Sequence, residues 1–431
     1  MAMWEATLWI ACFAAIVLMI YPSLYERSLA SAIVAHLCLA APFFALVSRF
    51  LVNDTSIQYV VAFGGESLPF KYRFAATWAA REGPILMWVV WLTILTWIWR
   101  KPITGKYRES IASRDFRQRI VYGFCLTLLL IAIVLNPFKE TPNFFFGAGL
   151  NELLQTDLMI IHPPLIFLAY SFCIFISAIA LAGIFTESSP GIDERILSLT
   201  RPGLFVTTLG IGLGGLWAYL ILDWGGYWAW DPVETGSFLP WLALVGISHM
   251  RTRPGKVSEK GWIGAGLVVG ALALFATLVT RAGGVWASSV HTFVTSESGT
   301  APDDAFSRMM LLKNDAVAGV EIMTYLMFIL LIIGAWLMLN RRSHHGYVSS
   351  NSPVLLLIPT IGAAAAILFG ADLYHWIPNF AIVGLVMGFV AIDKLARPLA
   401  SVEPNGWTYY RGRFVQPLLL FPVLLYILVP K

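Results

Sequence analysis

Apolar residues in this chain come in long unbroken runs, not in strict alternation or in narrow one-sided stripes. The runs fall near 4–21, 29–52, 83–99, 120–136, 161–185, 203–222, 238–250, 262–280, 319–340, 353–370, 379–396 and 414–430. At ~1.5 Å per residue, about twenty residues cross the hydrocarbon core of a bilayer. Most of the runs approach that length, and 238–250 is short. The period-two alternation of a lipid-facing barrel strand is missing. A backbone in hydrocarbon must satisfy its own polar groups, so the spanning segments are expected to be helices. The predicted fold class is all-α, with 1–431 forming one polytopic integral membrane bundle of about 12 transmembrane helices.

Composition agrees with this reading. The chain is 58% hydrophobic and 13% charged, with a mean hydropathy of +0.73, whereas soluble domains carry about 25% charged residues. The net charge of +4 adds little. No basic tract or low-complexity segment occurs, so no nucleic-acid partner is expected.

The distribution of charge says more. If alternate loops face the cytoplasm, 22–28, 100–119, 186–201, 251–260, 341–352 and 394–413 lie inside and hold 20 of the 29 Lys and Arg residues. The positive-inside rule supports that orientation. It puts 53–82, 137–160, the segment around 224–230 and 281–318 outside, where loops on a rigid scaffold can carry a site. No basic residue precedes the first run, so a cleaved signal peptide is not expected. Cys12, Cys38, Cys125 and Cys173 all sit within apolar runs. None forms a Cys-x-x-Cys pair, so neither a redox pair, a zinc site nor a covalent haem is indicated.

The segment Trp224-Gly225-Gly226-Tyr227-Trp228-Ala229-Trp230-Asp231-Pro232-Val233-Glu234-Thr235 carries the most chemistry. An interfacial belt scatters its aromatics. Here three indoles and a phenol crowd together between two apolar runs, a platform suited to a large flat apolar ligand. His162 and His291 each stand at the outer edge of a run, one on either side of it in sequence. An aromatic slab between two imidazoles suits a haem. Pro163 and Pro164 fit the first turn of a helix, which would set His162 on its outer lip. Asp231 and Glu234 either orient ring N–H groups or cap the helix expected after Pro232.

Other polar groups near the membrane are open to a similar pair of readings. His36 and His249 lie within runs, and an ionisable group there is a functional candidate. His375 belongs at an outer boundary, while His344 and His345 sit in a basic inner loop. No run holds two histidines, which argues against a plain two-haem electron carrier. Arg73, Arg81 and Arg281 lie on the outer side. Each would grip a carboxylate such as a haem propionate, or pair with a nearby acid or lipid phosphate.

The aromatic segment resembles the tryptophan-rich WWD signature of haem-handling proteins in cytochrome c biogenesis, shared by CcmC, CcsA and CcmF. The flanking motifs are similar to CcmF: Phe50-Leu51-Val52-Asn53-Asp54-Thr55, Tyr72 to Gly83, Asn136-Pro137-Phe138, Leu153 to Pro164 and Arg281 to His291. The likeness covers about 50–295, with the WWD segment at 224–241. Residues 296–431 diverge, as in a short form lacking the usual C-terminal part. Tyr227 stands where such proteins usually carry tryptophan.

The resemblance implies a cytochrome c haem lyase of the cell (inner or plasma) membrane, multi-pass, with its active face extracytoplasmic. Haem b would lie against Trp224, Trp228 and Trp230, with His162 and His291 on its iron and Asp231 and Arg281 nearby. A second, intramembrane haem b would use His249, with its other ligand from His36, His375 or a partner subunit. The implied partners are a haem chaperone of CcmE type, apocytochrome c with its thiol-handling subunits of CcmH type, and membrane lipid. No nucleophile of its own is expected, because the substrate Cys-x-x-Cys-His motif brings the thiols. The alternatives are a haem exporter that presents haem without attaching it, and a secondary transporter or channel with an aromatic site.

Overall fold

The computed structural model describes residues 4–186, 190–221, 226–228, 231–251, 257–286 and 316–342. Trp224, Trp230, His291, His344, His345, His375 and the three runs beyond 350 lie outside the described residues. Among the described residues the secondary structure is helical, apart from one isolated antiparallel bridge between Ile57 and Glu140.

The helices are α1 (Glu5–Ile20), α2 (Leu24–Arg27), α3 (Leu29–Leu51), α4 (Gln58–Phe63), α5 (Phe70–Ala76), α6 (Glu82–Ile98) and α7 (Ile111–Leu135). After them come α8 (Asp157–Phe185), α9 (Ile192–Ile221), α10 (Pro232–His249), α11 (Glu259–Trp286) and α12 (Ala316–Arg342). Among the described residues five helices are long and apolar enough to cross a membrane: Leu29–Leu51, Ile111–Leu135, Asp157–Phe185, Ile192–Ile221 and Glu259–Arg281. Shorter apolar helices occur at Glu5–Ile20, Glu82–Ile98 and Thr324–Trp336.

Two compact units are distinct. The first holds Met1–Trp230 with Pro240–Val269, and the second holds Asp231–Leu239 with the chain from Gly270 onward. In the first unit α8 is the central element. It packs most extensively on α9 and also against α5, α6 and α7. Its residues from Ala169 to Ala180 are buried without interruption. A helix apolar on every side belongs inside a bundle.

Three helices begin earlier than the hydropathy runs indicate. α7 starts at Ile111, not near 120; α8 at Asp157, not near 161; α9 at Ile192, not near 203. For α7 and α9 the physical reason is pairing. Arg114, Arg117 and Arg195 lie in these early turns and lower the local hydropathy, yet all three are buried. Arg117 is matched bidentately by Glu109, with Nε–Oε1 at 2.8 Å and Nη2–Oε2 at 3.0 Å. The early start of α8 brings a correction for His162. Pro163 and Pro164 stand inside α8, not in its first turn.

Candidate functional site at the start of alpha 8

Inside a helix a proline has no N–H for the carbonyl four residues back. Pro163 therefore leaves the Met159 carbonyl without its helical donor. The indole of Trp78 supplies the replacement, with Nε1 donating to Met159 O at 2.8 Å. Both Trp78 and Met159 are buried.

Trp78 is itself held on several sides. Phe74 packs edge-on against it, with centroids 4.9 Å apart and an interplanar angle of 87°. The adjoining backbone is pinned by Tyr59, whose hydroxyl donates to Thr77 O at 3.0 Å and accepts from Ala80 N at 3.1 Å. The turn then closes so tightly that a Cβ at residue 83 would lie 1.6 Å from Thr77 O, and only glycine fits.

His162 follows Met159 by less than one turn and is half-buried. Its Nδ1 lies 2.8 Å from the carbonyl of Gly210 on α9. A carbonyl accepts only, so the neutral ring carries its proton on Nδ1 and keeps the lone pair on Nε2. Trp217 meets the ring edge-on, with centroids 5.9 Å apart at 89°. At residue 214 a Cβ would lie 2.7 Å from His162 Cε1. The imidazole thus occupies the space that Gly214 leaves open.

The segment after α9 folds back on that helix. Tyr227 stacks on Tyr219 with centroids 4.7 Å apart and planes 3° from parallel. Its carbonyl sits 2.8 Å from the Cβ position of Gly215. The tyrosine that stands for the usual tryptophan therefore makes a phenol pair, and Tyr227 remains exposed. Trp228 follows it, half-buried.

The remaining candidates divide. His249 ends α10 and is exposed; its Nδ1 lies 2.8 Å from Val245 O, which again places the lone pair on Nε2. His36 is buried, with both nitrogens engaged, Nδ1 2.7 Å from Ala32 O and Nε2 3.0 Å from Tyr122 Oη. That is a satisfied core histidine, held inside the packing.

Arg73 spends its Nε on the Leu68 carbonyl at 2.9 Å. In the second unit Asp231 accepts from Val233 N at 2.9 Å, and its own carbonyl accepts from Thr235 N at 2.8 Å. It is the N-cap of α10, with Pro232 at the first helical position.

Arg281 is buried with its Nε 2.9 Å from Glu321 Oε1. Tyr325 donates to the same oxygen at 2.8 Å. Sequence reasoning singled out neither Glu321 nor Tyr325, although an acid in an apolar run with a phenol four residues on was the available signal. All four cysteines are free thiols, and no group of three or more His, Cys, Asp or Glu gathers among the described residues.

Fold and site together define a class: a polytopic helical membrane protein that presents a backbone-tethered histidine beside an aromatic turn. Residues 78–290 match the family described as Cytochrome C assembly protein, and the chain resembles the CcmF-type members of it. The match opens at Trp78 and closes one residue before His291.

The chain is 36% identical over 267 residues to the cytochrome c-type biogenesis protein CcmF of Escherichia coli strain K12, covering 59% of this chain and 40% of that protein. It is 32% identical over 353 residues to the CcmF of Pseudomonas aeruginosa, covering 77% of this chain and 49% of that protein. It thus spans half or less of the length of these curated relatives. A solved structure of cytochrome c heme lyase CcmF is similar in fold, with a TM-score of 0.51 at 22% identity, covering 99% of this chain and 75% of that one.

Proposed function

We propose that this chain works in cytochrome c maturation as a haem lyase, holding haem b at an extracytoplasmic face of the cell membrane and attaching it to apocytochrome c. His162 and His291 are the axial ligands of that substrate haem, and Trp224, Trp228 and Trp230 border the macrocycle. A haem chaperone of CcmE type supplies the haem. Subunits of CcmH type present the apocytochrome thiols. Each thiol adds across a haem vinyl group: sulfur bonds one vinyl carbon and the other carbon takes the hydrogen. No oxidant is consumed.

The observation that carries this reading is the tether on His162. A metal-ligating histidine typically donates its second ring N–H to a carbonyl or carboxylate, which fixes tautomer and direction. His162 has that partner in the Gly210 carbonyl, and the lone pair on Nε2 suits iron. The protein contributes position, and positioned reactants gain rate through orientation. Asp231 serves the site by starting α10 at its place in the chain. The Arg281 guanidinium, already beside Glu321, would share its charge with any propionate.

His249 is the ligand offered to a second, intramembrane haem b. Its counterpart is His36, which now meets Ala32 O and Tyr122 Oη, or His375, or a partner subunit.

The test is co-expression with an apocytochrome reporter and the remaining maturation components. The double variant His162→Ala, His291→Ala should lower holocytochrome yield by about tenfold or more, the range seen when a ligand environment is lost. Wild-type yield from that variant would overturn the proposal.

A further inference from the structure

His162 is the point where two separate parts of the fold converge. Behind it, the Trp78 indole takes the Met159 carbonyl that Pro163 cannot serve. Beside it, Gly214 leaves the gap into which the imidazole fits, with its Cβ position 2.7 Å from Cε1 and 3.3 Å from Nδ1. The Gly210 carbonyl then receives Nδ1 at 2.8 Å.

These contacts fix different degrees of freedom. The Trp78 bond fixes the backbone of the turn that carries His162. A proline-interrupted turn with an unserved carbonyl would otherwise relax toward whatever donor is nearest. Gly214 fixes where the ring can lie once the turn is set. The carbonyl sets its rotation and tautomer. A methyl group at 214 would displace the ring from the carbonyl, because the helix backbone that bears it cannot recede.

We infer that Trp78 and Gly214 are positioning residues for His162, acting through the Met159 carbonyl and through ring clearance, and that together they set the direction in which Nε2 meets a haem iron. The inference rests on His162 being an axial ligand. It adds that the ligand's pose is built by a tryptophan 81 residues from the carbonyl it serves and by the absence of a side chain on the neighbouring helix.

The experiment uses the full chain, purified in detergent and loaded with hemin, and reads the absorption spectrum and the iron midpoint potential. Wild type is compared with His162→Ala, Trp78→Phe and Gly214→Ala, each with and without added imidazole. Trp78→Phe keeps an aromatic ring and removes the N–H donor; Gly214→Ala acts from a different helix, so a folding failure in one leaves the other informative. The expected result is that both variants move the spectrum from low-spin towards high-spin, in the direction of His162→Ala, and that imidazole restores the low-spin form. A purely structural role predicts lower yield with an unchanged spectrum and potential. If His162→Ala changes the spectrum and neither Trp78→Phe nor Gly214→Ala does, the positioning inference is wrong while the ligand reading stands. If His162→Ala itself leaves the spectrum unchanged, the ligand reading falls, and the inference with it.

Discussion

The two ends of α6 solve the same problem in opposite ways. Each is a place where backbone carbonyls of a membrane-embedded bundle need donors that the local helix cannot give. At the C-terminal end the donors are polar and charged side chains. Arg117 reaches Trp99 O at 2.8 Å and Lys101 O at 2.9 Å, and Gln118 reaches Thr96 O at 3.1 Å and Trp99 O at 3.0 Å. Glu109 closes the set, gripping Arg117 and accepting from Ile103 N at 2.9 Å. Just before the N-terminal end the donor is one indole, and beyond its acceptor stands an imidazole tethered to α9. The first arrangement spends its central ion pair on itself and on backbone. The second holds a ring from behind and fixes its direction and tautomer. One cluster spends its bonds on its own backbone, and the other spends them on the direction of a single ring, which is the feature the proposed function uses.

The sharpest way to test that contrast is to break the closed end. Glu109→Ala would strand the Arg117 guanidinium in a fully buried site. Loss of one partner from a buried ion pair costs about 3–5 kcal/mol. A large fall in melting temperature or in folded yield is expected, measured by thermal unfolding in detergent. The surviving folded protein should bind hemin with the wild-type spectrum. A spectral change of the kind given by His162→Ala would mean that the two ends are coupled, and the comparison would lose its point.

Next in size is His36, whose two nitrogens are both engaged inside the packing. Tyr122→Phe removes the hydroxyl that meets its Nε2 and leaves that buried acceptor unserved, at a cost of about 1–3 kcal/mol. The melting temperature should drop modestly and the hemin spectrum should stay put. If the variant gains a new low-spin haem signal, His36 is a ligand held in reserve, and the distinction between it and His162 fails.

Much of this is legible in the chain itself. Helical runs long enough to cross a bilayer announce the fold class, and a histidine at the edge of such a run announces a candidate ligand. Residue types carry those signals locally. The starts of α7 and α9 are hidden because hydropathy counts Arg114, Arg117 and Arg195 as water-loving, whether or not a carboxylate pairs with them or a carbonyl accepts from them. Asp231 is readable two ways, as a cap or as an orienting acid, and its bond to Val233 N shows the cap.

Trp78 carries no local signal of its role. That role arises from a hydrogen bond that Pro163 lacks, far along the chain, and no window of sequence spans that distance. Gly214 is unreadable for another reason. Glycine is common in membrane helices, and the one that matters is picked out only by what lies against it.

The smallest effect expected lies at the edge of the closed end, where Glu26 on α2 reaches Arg114. The two are 2.8 Å apart, with Tyr25 donating to the same carboxylate oxygen at 2.9 Å. The Arg114 guanidinium, and after it the Tyr25 hydroxyl, hold the Glu26 carboxyl below its usual range. A carboxyl whose value is lower folded than unfolded stabilises the fold fully above the ordinary carboxylate range. It loses that contribution as pH falls through the lowered value. Because Glu26 is half-exposed, solvent screening keeps the effect small. Wild type should therefore melt slightly above Glu26→Gln near neutrality, and the gap should narrow as pH falls from the ordinary carboxylate range, about pH 4, to below it. A gap that stays constant with pH would assign the difference to packing.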